Sequence, residues 1–234
     1  MDEYNGAALE TAAKLNAVPL LRAMLQGRAV SSTSLSRAFK SADRERLEVV
    51  KIFLDAGIRG DLLHAALVEQ SKRGDHSLDV CSCFLQHGAS VNEYNGEALN
   101  TTIRLGAVQL AQVLLLERKA TSTTLSRAFN SALEFPDSVN LRMLQLLFNA
   151  GLQKGDEIHG GLLKLVQFGS KDTEIIQGLL KFGASVHYDN HNALKSAALL
   201  CNHSVLEVLF PDRNLDTSQP TRSRDLAPPL LRLA

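Results

Sequence analysis

The sequence predicts an all-α protein built as a solenoid of about seven stacked helix pairs, and three observations carry that prediction. The stretch Glu3–Ala42 returns without a gap as Glu93–Ala132, 90 positions on, sharing Glu-Tyr-Asn-Gly, Ala-Val-x-Leu and Leu-Ser-Arg-Ala-Phe. An echo of so long a period marks stacked supersecondary units rather than one globular core. A leucine or isoleucine also recurs with a small residue three positions later: Leu9/Ala12, Leu35/Ala38, Leu63/Ala66, Leu99/Thr102, Leu125/Ala128, Ile158/Gly161 and Leu194/Ala197. Spacing of three puts both on one helical face, where the small partner lets a neighbouring helix approach. Each pair is followed by a second apolar run at helical spacing, ending at Leu25, Leu54, Leu85, Leu115, Phe148, Leu180 and Phe210.

In chain order the units fall at about 1–29, 30–58, 59–90, 91–120, 121–152, 153–185 and 186–210. From marker residue to the end of the second helix the spacings run 16, 19, 22, then 16, 23, 22, then 16, so the true period is three helix pairs. Gly88-Ala-Ser-Val returning as Gly183-Ala-Ser-Val, and Gly60-Asp61 with His64 returning as Gly155-Asp156 with His159, give a second echo at 95 positions. The extra residues lie between the helices of a unit, at 40–46, 70–77 and 134–138, where Asp, Gly, Ser and Pro136 supply turn chemistry. Ser32, Thr33 and Ser34, like Ser122, Thr123 and Thr124, are expected helix N-caps. Gly57, Gly88, Gly151 and Gly183 stand where a left-handed residue closes a second helix. The chain starts inside a unit with no capping repeat ahead of it, which predicts either a fraying first pair or a segment of a longer array. Residues 211–234, with four prolines among polar and basic residues, read as a mobile tail whose apolar end can fold back.

Composition narrows the function. Lys plus Arg and Asp plus Glu both number 25, and a zero net charge argues against a phosphate-neutralising nucleic-acid binder. Cys81, Cys83 and Cys201 are odd in number and form no disulfide framework, so an intracellular, reducing setting, cytoplasmic or nuclear, is expected. The acidic N-terminus lacks the pattern of a signal peptide, and no apolar run is long enough to span a membrane.

Leu63-His64-x-Ala66 opening a helix, a second apolar helix, and then Gly88-Ala-Ser-Val-Asn92 together resemble the ankyrin repeat. The resemblance covers about residues 2–210, and the three-unit period is similar to the degenerate ankyrin-like arrays of large fungal proteins. It implies a protein-binding solenoid and a structural role for His64 and His159, tying neighbouring repeats by hydrogen bonds to backbone groups. No unit carries Thr-Pro before the marker residue, and only the links 88–97 and 183–192 approach the length of an ankyrin finger. The β-hairpin fingers are therefore expected to be short or absent.

Chemistry is sparse. Cys81 and Cys83, two apart on a helix, point about 200° from one another and cannot easily share a metal. His187, His191 and His203 match no metal-ligand spacing, and no periodic nucleophile or carboxylate accompanies His64 or His159. No phosphate loop follows Gly60-Asp61 or Gly155-Asp156. No catalytic residue, metal or cofactor is expected. The candidate partner-binding residues are Tyr4, Tyr94 and Tyr188 with Glu93 and Asp189 in the entering links, and Arg37, Arg104, Arg127 and Lys195 on first-helix surfaces. Turn formation accounts for the tyrosine segments equally well, and a solvated face for the cations. The expected function is a non-catalytic protein-interaction module; a structural or regulatory segment of a larger protein is the alternative, and an enzyme the remote one.

Overall fold

A computed structural model describes residues 2–26, 30–117, 120–134, 141–153 and 155–210, without the side chains of residues 2–5 and 117. The expected tail at 211–234, and most of the turn expected at 134–138, lie outside the described residues. Among the described residues there are fourteen α-helices and no strand. They come in seven pairs: α1 (Asp2–Lys14) with α2 (Val18–Leu25), α3 (Ser32–Ser41) with α4 (Leu47–Asp55), α5 (Asp61–Ser71) with α6 (Leu78–Gln86), and α7 (Glu97–Arg104) with α8 (Val108–Glu117). After them come α9 (Ser122–Glu134) with α10 (Leu141–Asn149), α11 (Asp156–Gln167) with α12 (Thr173–Lys181), and α13 (Tyr188–Leu199) with α14 (His203–Leu209).

The pairs stack in two layers. First helices pack on one another, α1 on α3, and α5, α7, α9, α11 and α13 in succession, while the second helices run unbroken from α2 to α14 and carry the stack from the second unit to the third. The chain is thus an α-solenoid in general form. All seven marker residues and their small partners are buried. Gly161 shows why the partner must be small, since a Cβ there would lie 2.8 Å from Phe129 Cζ. The recurrent phenylalanines organise the core of each half. Phe39 meets Phe53 and Phe84 edge-on, at 5.6 and 6.4 Å, and its counterpart Phe129 meets Phe148, which stacks on Phe182 at 3.8 Å. Burying the Phe39, Phe53, Phe84 and Phe129 rings contributes roughly 2–3 kcal/mol each, while Phe148 and Phe182 are half-buried.

Polar ties lock the pairs together. Asp75 Oδ1 accepts from the Leu110 N–H at 2.9 Å, at the entrance to α8, and Asn92 Oδ1 accepts from the Thr121 N–H at 2.8 Å. The second and third units meet through Arg44–Glu69, at 2.6 Å, and Arg73–Glu45. Helix entry differs from the sequence expectation by one residue. Ser31 and Thr121 are the caps, their hydroxyls accepting from the Ser34 and Thr124 N–H groups, so Ser32–Ser34 and Ser122–Thr124 lie inside the helices. Any hydroxyl in the Ser-Ser-Thr-Ser run can accept, and the backbone direction chooses: Ser31 is extended, with φ −61° and ψ 145°. Gly57, Gly88, Gly151 and Gly183 do close second helices, with φ between 101° and 104°.

The two longest links form no hairpin. Glu93–Gly96 is a short 3₁₀ turn in which Tyr94, Asn95 and Gly96 are left-handed, and at an offset of 95 Asp189, Asn190 and His191 are left-handed too. Runs of left-handed residues are costly for side chains bearing a Cβ. Gly96 also allows close approach, since a Cβ there would lie 2.7 Å from Thr124 Cγ2.

Candidate interaction surface

Two exposed hollows on the first-helix layer share their residues. On α3 a hollow of about 360 Å³ is lined by Ser32, Thr33, Ser36, Arg37 and Lys40. On α9 a hollow of about 580 Å³ is lined by Ser122, Thr123, Ser126, Arg127 and Asn130, with Glu157 of α11 at its edge. Spacings of three and four put each set on one helical face, opposite the buried Leu35/Ala38 and Leu125/Ala128 faces. Ser126 Oγ donates to Glu157 Oε2 at 2.6 Å, which holds a carboxylate in the same hollow as Arg127. No acidic residue lines the first, which presents Arg37 and Lys40 beside three hydroxyls. Of the hollow residues the sequence expectation singled out only Arg37 and Arg127. The signal for Thr33/Thr123 and Ser36/Ser126 was present as identities in the 90-residue echo, the threonines exposed and the serines half-buried.

The other candidates divide. Arg104 is neutralised, its Nη2 donating to Glu97 Oε1 at 2.8 Å and to Thr101, and it joins neither hollow. The cations thus do not form one continuous row. Lys195 is exposed on α13. Glu93 is exposed beside Tyr94, and exposed Asp189 accepts from the Asn192 amide at 2.7 Å. Tyr94 is 45% exposed, but its hydroxyl donates to Asp61 Oδ1 at 2.5 Å, and that bond pushes its ionisation above the ordinary 10.0. Tyr188 is half-buried with its ring 5.3 Å from that of His159, and so is no free anchor. The Tyr4 side chain lies outside the described residues. The three tyrosines do not act as one set of exposed anchors, because two of them are engaged by the preceding unit.

His64 Nδ1 accepts from the Ser90 N–H at 3.1 Å, and His159 Nδ1 accepts from the Ser185 N–H at 3.0 Å. The bond joins a first helix to the chain leaving the second helix of its own unit, rather than to a neighbouring repeat. It also commits the nitrogen that would serve as a base. Cys81 and Cys83 are buried, and burial pushes the Cys81 thiol up to about 11. Among the described residues no group of three or more His, Cys, Asp or Glu gathers around a common point, and no helix is long and apolar enough to cross a membrane.

No family model matches this chain, and no curated protein matches it.

Proposed function

We propose that the chain is an ankyrin-like solenoid that binds another protein along its first-helix layer, without catalysis and without a cofactor. The observation that carries this reading is the recurrence of Ser32, Thr33, Ser36 and Arg37 as Ser122, Thr123, Ser126 and Arg127, lining two hollows. Core packing places no demand on exposed Thr33 and Arg37, so their return alongside the buried positions supports a surface role. The spacing supports a macromolecular partner. Three steps of about 8–10 Å, from α4 through α6 and α8 to α10, set the units that carry the hollows about 25–30 Å apart, a span that an extended peptide of about eight or nine residues covers and a metabolite does not. Rigid helices hold both hollows in place before binding, which lowers the ordering cost of association. Free Cys81, Cys83 and Cys201 support a reducing, intracellular setting.

The test is capture from native lysate with the wild-type chain, Arg37→Glu, Arg127→Glu and the double variant, each shown by circular dichroism to be folded. Loss of one partner, partial in the single variants and complete in the double, is the expected outcome. Capture unchanged by the double variant would sink the proposed surface.

A further inference from the structure

We propose that His187 and His191 form a two-imidazole site for a divalent transition-metal ion of the Ni(II) or Cu(II) kind. His187 Nδ1 and His191 Nε2 lie 2.8 Å apart, with ring centroids 4.7 Å apart and planes at 79°. Both residues are exposed. Other histidines spend their nitrogens on the backbone: His64 and His159 accept from N–H groups, and His87 Nδ1 lies 2.8 Å from the Cys83 carbonyl. In the last link the two imidazoles face each other instead.

The backbone creates this meeting. Asp189, Asn190 and His191 are all left-handed, an arrangement that side chains with a Cβ resist. The turn is braced by the Ser185 hydroxyl, which accepts from the His187 N–H at 3.2 Å, and by the Asn192 amide on Asp189. The equivalent turn at Tyr94, Asn95 and Gly96 carries no histidine. The fold of the link is therefore shared by the two links related at 95 positions, and the imidazole pair belongs to the last unit.

The donor set selects the ion. The two nitrogens, 2.8 Å apart, come within reach of one ion. Zn(II) sites want three or four protein donors in a tetrahedral set, whereas two imidazoles with water in the remaining positions suit the open tetragonal sites of Ni(II) and Cu(II). As the ion binds, the donor ring's proton moves through solvent to that ring's other nitrogen, and each exposed ring turns about its Cβ–Cγ bond, so that two neutral imidazoles aim lone pairs at the metal. No third His, Cys, Asp or Glu completes the set among the described residues, so water or a donor from a bound partner fills the remaining positions.

The experiment is calorimetric titration of the tag-free full chain with Ni(II) and with Zn(II), repeated on His187→Ala, His191→Asn and, as a control, His203→Ala. Asn at 191 tolerates the left-handed backbone, so the imidazole is removed without refolding the turn, and circular dichroism verifies this. One Ni(II) site, tighter than Zn(II), is expected, with each of the first two variants weakened about tenfold or more and the control unchanged. Absence of Ni(II) binding, or binding unchanged in both variants, would overturn the site. Tighter binding of Zn(II) than Ni(II) would overturn the choice of ion.

Discussion

The Tyr94 hydroxyl donates to Asp61 Oδ1 across 2.5 Å, tying the link that enters α7 to the start of α5, 33 residues earlier. The carboxylate favours the protonated phenol, so folding raises the tyrosine's ionisation above 10.0. The stabilisation is intact below that value and is lost as pH rises through the raised one. Asp61→Asn is expected to bring the Tyr94 phenol back toward its ordinary range. Absorbance titration of the phenolate, with Tyr94→Phe assigning the signal, checks it.

His64→Ala leaves the Ser90 N–H without its acceptor, and a loss of about 1–3 kcal/mol is expected in urea unfolding. His64→Asn, whose carbonyl can take the same bond, should lose less. Equal losses from the two variants would mean that ring packing, rather than the hydrogen bond, holds the link.

Gly161→Ala is expected to destabilise by about 1–3 kcal/mol, because its Cβ would fall 2.8–3.0 Å from Phe129 and Leu133. Phe129→Leu in the same chain frees room for the methyl group. The double variant should then lose less than the sum of the two single losses, which a double-mutant cycle in urea measures.

Cys81 stays protonated in the folded protein until about pH 11, against an ordinary value of 9.0. Between those values the unfolded thiol ionises first, so stability falls as pH rises, by on the order of 3 kcal/mol at most. Cys81→Ala should show a shallower fall in urea midpoint over that window. In the native chain exposed Cys201 should react with a thiol reagent ahead of the buried Cys81 and Cys83.

Much of the fold was legible because a helix advertises its buried face at a spacing of three and four. Leu9, Leu63 and Leu125 sit where that rule puts them, and internal repetition fixed the pairing of helices without any outside comparison. The candidate site was less legible. Arg37 and Arg127 stood out by repetition, but the hydroxyls beside them looked like cap residues, and two caps lay one position earlier, at Ser31 and Thr121. Tyr94 and Tyr188 read equally as anchors or as turn residues because nothing local shows that Asp61 and His159, one unit back, reach them.

Periodicity alone thus settled that the chain is all-α, where its helices pair, and which leucines and small residues face inward, since these follow from backbone geometry within one helix. Stacking decided the rest: which hydroxyl caps α3, that Arg104 is neutralised by Glu97 while Arg37 lies in an open hollow, and that a left-handed turn brings His187 onto His191. Those outcomes depend on how neighbouring units aim their backbones at one another. A residue's type constrains that direction weakly, and contacts between units settle it.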